Sequence, residues 1–281
     1  MTRADLEKKL TAAGLARVAK DIAASARECA GFRATDGPVE PDASRLGGMP
    51  LLAAGQGWPA RDDRPLGFVA QIRLGDLPSF AGRETLPADG WLSFFYDVRD
   101  QPWGFDPQDE GGAVVLYRAA DQPGTEHAFP DALEAHERFP PRALSFFTKL
   151  TLPDGDTPAL EPLDLTSAEQ DAYYTLTHEE PAEPGDGHQV LGHARPLQNA
   201  MELECQLVTH DIHCGDPGGY EDPRAEELRP GAADWTLLLQ LDSDEPAGMM
   251  WGDLGRLYFW IRGDDLAQRA FERTWTILQC G

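Results

Sequence analysis

Apolar and polar residues alternate with a period of two along much of the chain. In LGFVAQIRL, residues 66–74, strict alternation puts Phe68, Ala70, Ile72 and Leu74 on one face. Val69, Gln71 and Arg73 fall on the other. ALSFFTKLTL, residues 143–152, repeats the pattern with Leu144, Phe146, Thr148, Leu150 and Leu152 together. GWLSFFYDV (90–98) and GAVVLYRA (112–119) are rich in aromatic and β-branched residues, so they also predict strands. AMELECQLVTH (200–210), WTLLLQLD (235–242) and GRLYFWI (255–261) complete the strand-like set.

Helical spacing marks the two ends. Thr2-x-x-Asp5 has the form of a capping box, and Leu6, Leu10, Val18 and Ile22 follow at near-helical spacing to about residue 30, with Gly14 as a weak point. DDLAQRAFERT (264–274) predicts a short last helix with Leu266 and Ala270 on one face. The expected fold class is α+β: mostly antiparallel sheets, an N-terminal helix and a short C-terminal helix. Residues 36–65 are rich in Pro, Gly and Asp, and Gly47-Gly48 reads as a turn. No G-K-[ST] or G-x-G-x-x-G follows it, so it is not a phosphate loop. Residues 153–188 turn acidic and proline-rich and read as a connector, with Thr166-x-x-Glu169 capping a short helix inside it.

Two stretches repeat. FVAQIRLGD (68–76) and LLLQLDSDE (237–245) each carry an apolar trio, Gln, then Ile or Leu. GWLSFFYD (90–97) and GRLYFWIR (255–262) share Gly, Leu and Phe. The offsets are 169 and 165 residues. LGGMP (46–50) and LGHARP (191–196) make a looser third match in the same order. These predict one domain, 1–281, built by internal duplication, with one copy over about 46–119 and a second over about 190–279. Each copy would be a strand–loop–strand half. Because a lone pair of strands is marginal, the halves are expected to share a core about a pseudo-twofold axis.

Charge changes the picture. The 281 residues carry a net charge of -24, yet residues 1–34 hold seven Lys/Arg against four Asp/Glu. The rest of the chain therefore carries -27. So acidic a body repels phosphate backbones and argues against nucleic acid. It favours a basic protein partner or a cation, while a solvated acidic surface is the plainer reading. No apolar run approaches the roughly 20 residues of a membrane helix, so no membrane partner is expected. MTRADLEKKL lacks the apolar core of a secretory signal, and Cys29, Cys205, Cys214 and Cys280 are scattered like reduced thiols. A cytoplasmic location is expected.

LGGMP, WP, GFVAQIRLGDLP, LPADGWLSFFYD and WG, followed by LGHARPLQ, LLLQLDSD and WGDLGRLYFWI, resemble the YwqG-like family, a bacterial domain of unknown function. The resemblance runs from about Leu46 to Gln279. It implies an α+β fold of mostly antiparallel sheets and brings no established activity. Genomic proposals tie some members to toxin–immunity systems. The motif residues include Gly48, Pro50, Trp58, Pro59, Gln71, Gln240, Asp242, Asp244, Trp251, Asp253 and Gly255. His193 stands where the family usually has an aromatic residue.

Candidate chemistry centres on WTLLLQLDSDEPAGMMWGDLGRLYFW, residues 235–260. Alternation puts Leu238, Gln240, Asp242 and Asp244 on one face, and Asp253 follows across the loop. Three carboxylates could hold Mg²⁺ or Ca²⁺, or two could form an acid–base pair. Asp residues at a strand end also build turns, the reading preferred here. Gln71 and Gln240 must each satisfy an acceptor and two donors. They either hold backbone and lock the halves, or line a shared pocket with Trp58 and Trp251. HDIHCGD (210–216) has no standard zinc spacing, and no G-x-S-x-G elbow occurs. No cofactor is expected. The expected function is a non-enzymatic protein-interaction module, of immunity type by the resemblance. The alternative is a small-ligand or divalent-metal binder, or an enzyme, built on Asp242, Asp244 and Asp253.

Overall fold

The computed structural model describes residues 1–155, 157, 159–179 and 187–281. The end of the acidic connector, 180–186, lies outside the described residues. The architecture is α+β and dominated by one ten-stranded sheet. Its strands in chain order are β1 (Arg27–Thr35), β2 (Arg45–Leu46), β3 (Gly67–Arg73), β4 (Trp91–Tyr96) and β5 (Ala113–Arg118). They continue with β6 (Arg142–Thr151), β7 (Gln189–Val190), β8 (Trp235–Asp242), β9 (Arg256–Arg262) and β10 (Trp275–Gln279). The order across the sheet is β10-β9-β8-β7-β1-β6-β2-β3-β4-β5, and every adjacent pair is antiparallel.

The long pair β1–β6 forms the middle, with Arg27 opposite Thr151 and Thr35 opposite Ala143. Outward from it the two wings have the same make-up: a two-residue strand, a long strand, a return strand and an edge strand. Both long strands carry a bulge at the same place, between Phe68 and Ala70 and between Leu237 and Leu239. A bulge sets two residues against one and switches the face of what precedes it. Phe68 therefore joins Gln71 on the outer face, and Leu237 joins Gln240. Strict alternation had put them with Ile72 and Leu241.

The sheet curls until the inner faces of the wings meet. Phe94 of β4 touches Phe259 of β9 edge to face, with centroids 5.1 Å apart, although six strands separate them in the sheet. Ile72, Leu92, Tyr96, Leu241 and Leu257 fill the same inner core. Each such side chain contributes about 1.5–3 kcal/mol by leaving water. The outer faces are covered differently. Leu52, Trp58 and Leu66 from a short loop cover Phe68 and Phe95. The second wing has a helical insertion instead, α4 (Glu202–Val208), α5 (Pro217–Tyr220) and α6 (Ala225–Leu228), with Met201 and Cys205 packed on Leu237 and Trp260. Three earlier helices, α1 (Arg3–Leu10), α2 (Ala19–Ser25) and α3 (Ser167–Tyr174), pack together near Leu150 of β6 and Leu152 just beyond it.

Both capping boxes form: Thr2 Oγ1 accepts from Asp5 N at 3.2 Å, and Thr166 Oγ1 from Glu169 N at 3.3 Å. Gly14, at φ 95°, separates α1 from α2. Three segments depart from expectation. RECAGFRAT does not extend the helix; it is the central strand β1, because its small residues fit between two layers and both its ladders are filled. AMELECQLVTH is helical over α4, burying Cys205 and Val208 against the wing. The last helix, α7 (Gly263–Gln268), ends early at Arg269 with φ 60°, and the chain then supplies the edge strand β10. No helix among the described residues is long and apolar enough to cross a membrane.

Candidate functional site

Gln71 and Gln240 are both fully buried, at 0% exposure. Gln71 accepts the Leu51 N–H at 3.0 Å and donates to the carbonyls of Ala43 at 2.9 Å and Pro41 at 3.2 Å. Gln240 accepts the Arg195 N–H at 2.9 Å and donates to the Gly187 carbonyl at 2.7 Å. Leu51 and Arg195 stand 144 residues apart, and so do Ala43 and Gly187. Each amide thus clips the loops that enter and leave the short strand beside it. The register departs by one place from the third sequence match, which set Leu46 against Leu191. Leu46 faces Ala70 and Val190 faces Leu239, so Leu46 corresponds to Val190. The left-handed pairs that follow, Gly47-Gly48 and Leu191-Gly192, then coincide.

The glutamines bond within their own wings and do not lock one wing to the other. Nor do they share a pocket with the tryptophans. Trp58 is half-buried in the first wing's outer cluster, its indole N–H on the Leu66 carbonyl at 2.8 Å. Trp251 is 0% exposed in the inner core, with Tyr96 and Phe139 each 5.8 Å away, edge to face.

The acids at 242–253 divide in their roles. Asp242 lies 3.1 Å from Arg256, and its carbonyl takes the Trp251 indole N–H at 3.1 Å. His188 Nδ1 accepts the Asp242 backbone N–H at 3.1 Å, a tautomer that leaves the proton on Nε2, 3.7 Å from Asp244. Asp244 also takes the Ala247 N–H at 2.9 Å and caps the next turn. The His188 ring holds its carboxyl below the ordinary value, against the opposing effect of burial. Asp253 does not act as a turn device. Its side chain is exposed and makes no hydrogen bond or ion pair among the described residues; only its carbonyl is used, by Gly281 N–H at 3.2 Å. Ser243 does that work instead, donating to the Gly255 carbonyl at 2.9 Å and accepting Trp251 N–H at 3.0 Å. Among the described residues no group of three or more His, Cys, Asp or Glu is arranged to hold a metal. In HDIHCGD, His210 turns to the Gln206 carbonyl at 2.6 Å and His213 to Asp106 at 3.3 Å.

A concave site that sequence reasoning missed lies where β10 meets the helical insertion. It encloses about 530 Å³, with Trp103, Phe105, Glu204, Tyr220 and Ile277 in its lining. Trp103 and Tyr220 are each 37% exposed, although large aromatic side chains are normally covered. The chain lays residues 103–105 along the β10 edge. Leu278 N–H reaches the Trp103 carbonyl at 3.0 Å, and the Trp275 indole N–H reaches that of Gly104 at 2.8 Å. A Cβ at Gly104 would sit 2.1 Å from the Thr276 carbonyl, so only glycine permits this approach. Cys214 N–H binds the Phe105 carbonyl at 2.7 Å and ties the insertion to the same segment.

The lining is acidic. Glu204, Asp216 and Glu221 contribute to it, and among the described residues no lysine, arginine or histidine does. Tyr220 Oη is 3.4 Å from Glu204, and burial raises the Glu204 carboxyl to about 7. A larger cavity of about 560 Å³, between β5 and β10, is a weaker candidate because its arginines are already paired. Arg273 lies 3.0 Å from Asp265 and Arg262 lies 2.6 Å from Asp234. Three more exposed apolar side chains, Leu197, Met250 and Leu254, stand on loops bordering β10. Leu197 N–H binds Gln279 at 2.9 Å, and Gln101 links the Trp103 segment to Met250 at 3.2 Å and to Gly252 at 2.8 Å.

Compared with curated proteins, the chain finds no match. Residues 44–280 match the model of a domain of unknown function, DUF1963, and the chain belongs to that family.

Proposed function

We propose that this DUF1963 chain is a binding module that takes a basic protein partner on the face around β10. One observation carries the reading. Of eight exposed large apolar side chains among the described residues, Trp103, Leu197, Tyr220, Met250 and Leu254 stand beside this one edge, and Trp103 and Tyr220 line a cavity whose charged lining, among those residues, is wholly acidic. Exposed apolar groups gathered with a polar rim mark interaction surfaces, and a net charge of -24 steers a basic partner toward them. The polar side chains of Gln71, His188, Gln240 and Asp244 hold backbone groups and Asp242 pairs with Arg256, which supports binding over catalysis as the protein's work. An immunity-type role, masking a basic toxin in the cytoplasm, is the version that the charge and the family resemblance favour. We read the matching wings as an internal duplication within one domain, and the ordered motifs as those of a YwqG-like member of the family.

The test is calorimetric titration with an amphipathic lysine-rich peptide, at low and at physiological ionic strength. The reading expects binding that weakens with salt and falls at least tenfold in Trp103→Ala, roughly what a desolvated cation–aromatic contact is worth. Equal affinity for wild type and variant would place any attraction elsewhere on the acidic surface and overturn the reading.

A further inference from the structure

We infer that the cavity between β10 and the helical insertion is a subsite for one alkylammonium group, carried by a lysine side chain of the partner. This deepens the reading above and rests on it. The lining suits that chemistry. Trp103 and Phe105 stand with ring centroids 6.3 Å apart, and Tyr220 lines the same space. An ammonium attracted by the negative faces of aromatic rings is held well within about 6 Å of a ring centroid. Glu204 supplies a carboxylate on the same lining, from the helix that also packs on β8. A lysine stem is apolar and suits Ile277 and Leu278, while its head needs charge and π-density. An anionic ligand would meet Glu204, Asp216 and Glu221 with no cation on the lining to receive it.

The groups around Glu204 set the pH behaviour. Tyr220 faces it from α5 and Cys214 from the preceding loop, Cys205 and Glu202 lie on its own helix, and Asp216 and Glu221 line the same cavity. Burial raises the tyrosine, both thiols and the Glu202 carboxyl as well, and the Glu204 carboxyl, raised to about 7, changes charge near neutrality. The carboxylate fraction of a group titrating at about 7 rises about tenfold between about pH 6 and about pH 8. Cation binding should strengthen over that interval and release a proton.

The full chain is titrated with n-butylammonium, with 1-butanol as the neutral analogue, and with N-acetyl-lysine methylamide, following Trp fluorescence and calorimetry. Butylammonium is expected to bind in the millimolar range, about tenfold tighter than butanol, and about tenfold weaker in Trp103→Ala. Glu204→Gln should bind weakly and lose the pH dependence while melting cooperatively like wild type. Butanol binding as well as butylammonium, or Trp103→Ala leaving affinity unchanged, would overturn the subsite. If butylammonium binds and the lysine amide does not, the subsite stands for a free small amine and the protein-partner reading fails. If neither cation binds while the lysine-rich peptide still does, the subsite fails and the partner reading survives.

Discussion

Replacing Gln240 with leucine removes the hub of the second wing without a large change in volume. The amide is fully buried and serves two backbone groups, Arg195 N–H at 2.9 Å and Gly187 C=O at 2.7 Å. Leucine can satisfy neither. A buried donor or acceptor left unpaired costs about 1–3 kcal/mol, so two cost about 2–6 kcal/mol before relaxation. The gain from burying the leucine methyls offsets about 1–2 kcal/mol of that. The net expectation is a loss of about 2–4 kcal/mol, read from urea unfolding with an unchanged slope. Gln71→Leu should lose as much or more, since its amide serves three groups: Leu51 N–H and the carbonyls of Pro41 and Ala43. Amide exchange at Arg195 and Leu51 gives a local readout and should quicken in the matching variant alone. A Gln240→Leu protein within about 0.5 kcal/mol of wild type, with Arg195 exchange unchanged, would refute the hub.

Asp253→Ala should leave stability within about 0.5 kcal/mol in the same unfolding assay, because its carboxylate is exposed and unpartnered. Trp251→Ala should lose about 3–5 kcal/mol, since it empties a fully buried site between Tyr96 and Phe139 and frees the Asp242 carbonyl. Glu204 binds its proton more tightly in the folded chain, so it lowers stability as pH rises from its ordinary 4.5 through about 7. Glu204→Gln should therefore gain on wild type over that window, by on the order of 2 kcal/mol at its upper end, in unfolding curves taken at each pH.

The strands at 66–74, 90–98, 112–119, 143–152, 235–242 and 255–261 were legible because aromatic and β-branched runs sit between turn residues. The glutamines were legible as buried and bonded for a simple reason: an amide inside an apolar strand must be satisfied. Their partners were not, because bonding to residues 41–51 and 187–195 depends on which strand lies alongside. Met201, Leu203, Cys205 and Leu207 alternate with polar residues and read as a strand, yet Cys205 and Val208 also suit one helix face, and packing on the wing decided it. β1 was hidden because its Cys, Ala and Gly carry little β-propensity and follow a helix directly. β10 was hidden by its brevity. The bulges at Val69 and Leu238 broke face assignments that no local pattern betrays. The cavity joins residues 103–105, 198–204, 214–221 and 277–279, none of which forms a motif, so only the fold brings Trp103 to Tyr220 and Glu204.

The most direct test of the binding account is a hydrogen-exchange footprint of the chain with and without the lysine-rich peptide at physiological salt. Protection is expected at 103–105, 214–221 and 276–280, with the helices α1 and α3 unchanged. Protection spread evenly over the acidic surface, or absent from the β10 face while the peptide is bound, would contradict it.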